Sequence, residues 1–336
     1  MNKKKVIDFI GIRKILFAIP IVIVAVTIIA NCILGVEMAI EFKGGTMLTY
    51  SYDGEIDTNA VKSEVEKNNL GAVTVTTGTA VNGSANTVQI SFSSSEGLTA
   101  DVQTEISDKL KETFADNNLE LVNSQDVNPS SGSEFFLKCL VAVLFSFVLL
   151  VIYIAFRFKN IGGLSAGVFA LVALVHDVFM VYAVFVFCRF PIDANFMAVI
   201  LTVLGNSINN TIVIYDRIRE NRNLYGNTIS LRELVNMSIT QSITRSINTT
   251  LTTGFAVLTI CVVCAICGVT SIMTFAIPMV VGLVCGTYSS ICISGPLWVL
   301  WQEKHGKNYT GTDKPADKSQ KNLASKGNVD PKKLMV

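Results

Sequence analysis

Gly205-Asn206-Ser207-Ile208-Asn209-Asn210-Thr211 lies inside an apolar block, Ala194 to Tyr215, and the chain then runs straight into Asp216-Arg217-Ile218-Arg219-Glu220. Hydrocarbon penalises such amides and hydroxyls, so a span that keeps them holds them for a pathway or for contact with another helix. Half of the 336 residues are hydrophobic, and they gather into further blocks at Ile15 to Gly35, Phe135 to Phe156, Ile161 to Phe187, Ile247 to Ile266 and Ser271 to Leu300. Each block reaches the roughly 20 residues a bilayer requires. The fold class expected is a polytopic α-helical membrane protein with six transmembrane helices. The first block has a basic flank like a signal peptide. It is too long for a signal h-region and has no small-residue cleavage site before Glu37, so it reads as a retained helix.

Basic residues near span ends favour the cytoplasmic side. Lys3, Lys4, Lys5, Arg13 and Lys14 place the N-terminus inside, and six crossings return the C-terminus, with Lys304, Lys307, Lys314, Lys318, Lys321, Lys326, Lys332 and Lys333, to the same side. Arg157, Lys159, Arg217, Arg219, Arg222 and Arg232 then fall in cytoplasmic loops, and Arg189 marks a short outer loop. The expected segments are 1–35, the N-terminus and first helix; 36–134, an extracytoplasmic domain; 135–300, a five-helix bundle with an amphipathic cytoplasmic loop at 216–245; and 301–336, a disordered basic tail. Within the loop, Ser230-x-x-Glu233 is a capping box ahead of Leu231, Leu234, Val235 and Ile239, which predicts a helix lying along the membrane surface.

The exported segment carries sixteen acidic residues against Lys43, Lys62, Lys67, Lys109 and Lys111. Its pattern changes to short alternations. Thr46 to Tyr52 reads as a strand ending at Asp53-Gly54, and Asp57 or Thr58 caps a helix through Asn68. Ala72 to Thr79 and Thr87 to Phe92 flank the turn signal Asn82-Gly83 as a hairpin. Leu98 to Asn117 has helical spacing, and Leu119 to Val122 closes the set. The order βαββαβ resembles the ferredoxin-like split βαβ arrangement, an α+β fold that serves many functions and carries no enzymatic implication.

His176 and His305 are the only histidines, which excludes triads and zinc sites built on several of them. All eight cysteines lie in or beside the spans, so no disulfide framework supports the exported domain. Cys261-x-x-Cys264-x-x-Cys267 lacks His or carboxylate company and reads as packing. No enzyme activity, cofactor, metal or nucleic-acid partner is expected.

The polar face of span four, Thr202, Asn206 and Asn209 or Asn210, sits at a depth similar to that of Arg245, Asn248 or Thr249, and Thr252 in span five. The spacing predicts that the two faces meet, with Arg245 against asparagine amides or shared water. Asp177 lies near mid-membrane in span three, where a carboxylate is functional by default. Asp216, Arg217, Arg219 and Glu220 read as an interfacial, salt-bridged helix end.

These residues resemble the SecF family, whose members partner SecD in the accessory complex of the bacterial Sec translocase. The likeness rests on Phe42-Lys43-Gly44-Gly45-Thr46 after the first span, on Val175-His176-Asp177-Val178, on Ser207 to Asn221 including Asp216-Arg217, and on Arg245 to Thr253. It covers Val36 to about Leu300. The resemblance implies a subunit of the bacterial cytoplasmic membrane within the resistance-nodulation-division architecture. With SecD and the SecYEG channel as partners, such a subunit uses the proton gradient to draw and release translocating polypeptide. In the family an aspartate and the arginine of the next span are implicated in proton passage. Arg245 matches that arginine, whereas Asn210 stands at the aspartate position and Asn206 where tyrosine is usual. An amide cannot ionise. Coupling therefore falls to a SecD carboxylate, to Asp177, or to another ion. The competing functions are a half-transporter for a lipid or small molecule and a scaffold that has lost coupling.

Overall fold

The computed structural model describes residues 6–36, 38–67, 72–79, 86–93, 98–226, 228–267 and 270–305. Among them, six helical segments are long and apolar enough to cross a membrane: Arg13–Leu34, Pro129–Arg157, Gly163–Cys188, Ala194–Tyr225, Leu231–Ile266 and Ile272–Lys304. The first is α1 (Arg13–Leu34), and the short α2 (Ile40–Lys43) follows it. The domain between the first two spans comprises β1 (Gly45–Tyr52), α3 (Thr58–Glu66), β2 (Ala72–Thr79), β3 (Asn86–Ser93), α4 (Ala100–Thr113) and β4 (Glu120–Val127). The chain re-enters the bundle as α5 (Pro129–Arg157), α6 (Gly163–Cys188), α7 (Ala194–Tyr225) and α8 (Leu231–Cys267). The last span is composite: α9 (Thr270–Ser289), a π-helical turn (Ser290–Ser294) and α10 (Gly295–Lys304).

The four strands form one sheet in the order β2-β3-β1-β4, each neighbouring pair antiparallel. Alternation decides its buried face: Leu48 and Tyr50 on β1 and Val88, Ile90 and Phe92 on β3 pack beneath Val61 and Val65 of α3 and Ile106 and Leu110 of α4. This core is separate from the one inside the bundle. Asp57 caps α3, accepting from the Asn59 amide at 2.9 Å. The proposed extension of this helix to Asn68 and the Asn82-Gly83 turn lie outside the described residues, as does everything from residue 306 onward.

Entry to and exit from the α/β domain cross at Phe42-Lys43-Gly44-Gly45. Gly44 has φ +82° and Gly45 φ +136°, a region glycine enters freely. A β-carbon on Gly44 would lie 2.6 Å from the backbone nitrogen of Pro129, and one on Gly132 of α5 would lie 3.0 Å from the Gly44 nitrogen. Phe42 fills the space beneath, 5.5 and 5.3 Å from the rings of Phe135 and Phe136. The sequence motif is thus a backbone-to-backbone clamp. Beside it, the domain's root is tied to α7: the Ala39 amide donates to the Ile192 carbonyl at 2.9 Å, and Glu41 accepts from the Ala194 amide at 2.9 Å.

The cytoplasmic-loop reading for 216–245 requires correction. Asp216 to Tyr225 continue α7, and Leu231 to Arg245 are the start of one uninterrupted 37-residue helix. Ser230 does cap it, accepting from the Glu233 amide at 3.2 Å. Leu231, Leu234, Val235 and Ile239 are buried in the bundle core, so the apolar face that suggested a surface helix is a packing face. The bundle also extends past residue 300, because α10 runs to Lys304.

Candidate functional site

Spans three, four and six meet along a seam of small and hydroxylated residues. Gly282 and Gly286 of α9 admit α7 closely: added β-carbons would meet Val203 and, at 3.1 Å, Ser207. Close approach lets side-chain hydroxyls reach across. Into this seam α6 brings Asp177, which is wholly enclosed and is the only buried carboxylate among the described residues. Its Oδ2 accepts from Ser207 Oγ at 2.5 Å and from Ser289 Oγ at 2.9 Å, and its Oδ1 lies 3.0 Å from His176 Nδ1. Three spans therefore share one carboxyl group.

The seam continues toward the basic end. Thr211 donates to Ser290 at 2.9 Å, Ser290 also donates to the Ser207 carbonyl at 3.0 Å, and the Tyr215 hydroxyl sits 2.7 Å from Ser294 Oγ and 3.2 Å from the Ala166 carbonyl. Asn210 joins from the side, its Nδ2 donating to Thr287 at 3.2 Å, while Thr287 shares a short hydrogen bond with Thr250 of α8. Asn210 is buried in this network.

The expected meeting of spans four and five through Arg245 does not occur within this chain. Arg245 and Asn248 on α8 and Asn209, Thr202 and Gly205 on α7 are exposed on the bundle's outer surface. Asn206 is half-buried, with an amide nitrogen that is enclosed yet has no partner, and Ser246 Oγ of α8 is in the same condition. The helical face inferred for span four splits: Asn210 points inward to α9, whereas Asn209, about 100° further round, points out.

Asp216 and Arg217 hold the basic end together. Asp216 lies 3.0 Å from Arg157 of α5 and 2.9 Å from Arg219, and Arg217 donates to Gln241 at 2.6 Å and pairs with Glu220 at 2.6 Å. Phe42, Gly44 and Gly45 belong to the clamp described above and lie apart from the seam. Sequence reasoning missed Thr287, Ser289, Ser290 and Ser294. A signal existed: Gly282, Gly286, Ser290 and Ser294 recur every four residues, the small-xxx-small pattern of close helix contact.

Fold and site together define a polytopic membrane protein with an α/β domain between its first two spans and one carboxyl group enclosed at the junction of three spans. Residues 105–304 match the family described as protein export membrane protein SecD/SecF, C-terminal. The protein translocase subunit SecF of Alicyclobacillus acidocaldarius is 34% identical over 313 residues, covering 92% of this chain and 97% of that protein. The protein translocase subunit SecDF of Bacillus subtilis is 29% identical over 302 residues, 89% of this chain and 39% of that one. The crystal structure of SecDF from Thermus thermophilus, a translocon-associated membrane protein, superposes with a TM-score of 0.75 at 26% identity; the match covers 90% of this chain but spans only 40% of that chain. The chain belongs to the SecD/SecF family of protein export membrane proteins, and its role is accessory to Sec protein export. The fused relatives support a SecD partner.

Proposed function

We propose that this chain and SecD together enclose an ion path whose energy draws translocating polypeptide from the SecYEG channel and releases it outside. The observation that carries the reading is the outward polar surface of α7 and α8. Asn209, Arg245 and Asn248 face a medium that tolerates none of them, and Asn206 and Ser246 hold buried polar atoms without partners. A second bundle laid on this face would satisfy all five. The same surface counts against a self-sufficient transporter for lipids or small molecules.

Within this subunit the coupling carboxyl is Asp177, because Asn210 cannot ionise and is committed to Thr287. Protonation of Asp177 turns one of its oxygens from acceptor to donor, which reorders its bonds to Ser207 and Ser289 on two other spans. No covalent chemistry is involved. In this reading both termini lie in the cytoplasm, the bundle sits in the cytoplasmic-membrane bilayer, and residues 36–134 lie outside. The exported domain is of ferredoxin-like type, supported by the order β2-β3-β1-β4 with both helices over one face of the sheet.

The test pairs cross-linking with transport. Cysteines replacing Asn209 or Asn248 should form specific adducts with SecD in native membranes, and Asp177→Asn should abolish the gradient-dependent fraction of export into inverted vesicles. No SecD adduct from either position, or an unchanged gradient response, overturns the respective half of the reading.

A further inference from the structure

At the basic end of the bundle, away from both the seam and the outward polar face, a groove of about 640 Å³ opens between the end of α5, the start of α6 and α10. Its walls are Phe156, Leu164, Val168, Phe169 and Trp301, with Lys159 at the rim. Phe156 and Leu164 are two-thirds exposed, so the groove faces lipid rather than the bundle interior. We infer that it seats one anionic glycerophospholipid, the acyl chains along α6 and the phosphate at Lys159.

Charge complementarity selects this occupant. Several basic side chains near the groove are already engaged: Arg157 and Arg219 with Asp216, Arg217 with Glu220, and Arg232 with Glu303 at 2.5 Å. Lys159 forms no ion pair among the described residues; its ammonium lies 5.1 Å from the Phe156 ring, held over the groove's wall. The first turn of α6 adds to the attraction, since Gly162 caps it without a side-chain acceptor and leaves amides for an anion. Gln302 of α10, 98% buried, donates from Nε2 to Ser165 Oγ at 3.1 Å and so holds the start of α6, the groove's floor, in place. Phosphatidylglycerol carries a net negative charge and a choline lipid carries none, so the unpaired Lys159 favours the first.

The dimensions agree. Leu164 to Phe169 covers about 7.5 Å of helix axis, enough for the glycerol unit and the first methylenes. Trp301, stacked on His305 with ring centroids 4.1 Å apart and facing Phe169 at 6.3 Å, stands where aromatic residues mark the boundary between headgroups and hydrocarbon.

The experiment uses the full chain in nanodiscs of equal phosphatidylglycerol and phosphatidylcholine with matched acyl chains, released for native mass spectrometry. One phosphatidylglycerol should be retained in preference to phosphatidylcholine. Lys159→Ala should weaken that retention about fivefold, the worth of one basic residue at an anionic surface. Val168→Trp, which fills the groove, should lower retention of either lipid, and Lys138→Ala, whose ammonium is paired with Glu134 at the opposite end of α5, should change nothing. In the unmodified chain, a photoactivatable phosphatidylglycerol should label residues 155–169 and Trp301, a readout that does not depend on any variant folding. Equal retention of the two lipids, indifference to Lys159→Ala, or adducts confined to other faces would overturn the assignment, as would recovery of a protein helix in the groove.

Discussion

Replacing Gly44 with alanine isolates what the clamp is for. Gly35 and Gly44 share a backbone region, φ +68° with ψ 172° and φ +82° with ψ 162°, that only glycine adopts readily. An alanine at either position costs about 1–3 kcal/mol in backbone strain. Gly35 has no atom within 4 Å of an added β-carbon, so strain is its whole penalty. Gly44 meets the backbone of Pro129, which cannot rotate away as a side chain would, adding about 1–3 kcal/mol of overpacking. Gly132→Ala approaches the same junction from α5 at 3.0–3.1 Å without positive φ, and recovers about 1 kcal/mol of helix propensity. The expected order of destabilisation is Gly44, then Gly35, then Gly132. Pulse proteolysis of the purified full chain, cutting in the α/β domain, measures it. A Gly44→Ala penalty within about 0.5 kcal/mol of Gly35→Ala would show that the junction yields, and that the motif is only a turn.

Arg245→Leu should lower export more than Arg245→Lys, because only the first removes the charge from the face SecD is proposed to cover; equal, full activity for both would reduce Arg245 to an anchor at the lipid surface. Asn210→Asp places a second carboxyl beside Thr287 and should give vesicle export a new dependence on pH, whereas Asn210→Ala should only loosen packing; identical pH profiles for all three proteins would remove Asn210 from any coupling argument. Asp193, outside the spans, has its carboxyl pushed up from the ordinary carboxylate range, chiefly by burial and further by Glu41, against hydrogen bonds from Phe196 and Asn195. The folded state therefore binds its proton more readily than the unfolded chain, so thermal stability should rise as pH falls through that raised value, and Asp193→Asn should flatten this slope. Expressed alone, residues 37–133 should fold with mixed helix and strand by far-UV circular dichroism, since their core shares no residue with the bundle's; a disordered fragment would contradict that independence.

The spans were legible because hydropathy is a property of local composition, and the paired strands β2 and β3 and the Asp57 cap because alternation and capping chemistry are local too. Span ends were not. The run Leu231 to Arg245 is polar enough to break a hydropathy window yet contains nothing that breaks a helix, so α8 passes through it. Asp177 and Asn210 stood out as polar residues in apolar surroundings, but their partners did not, since Ser289 and Thr287 resemble any hydroxyl in a membrane helix until α9 is laid against α6 and α7. The direction Arg245 faces was hidden for a different reason. Spacing along one helix defines a face, and which neighbour that face meets is decided by packing elsewhere.

The π-turn at Ser290–Ser294 gives the last span a property that composition does not convey. It holds one residue more than α-winding would over the same rise, so every residue beyond it is set back by about 100° from where continuous α-winding would place it. Above the turn, Ser289 is phased to Asp177; below it, Trp298 and Gln302 are phased to Ser165, at 3.2 and 3.1 Å. The two halves of one helix thus keep separate angular registers, and the count of residues between them matters as much as their identity. A single deletion inside the turn would relax it to ordinary winding with α10 still in phase, whereas a single deletion between the turn and Trp298 would swing the rest of α10 by about 100°, taking Trp298 and Gln302 off Ser165 while leaving Ser289 in place.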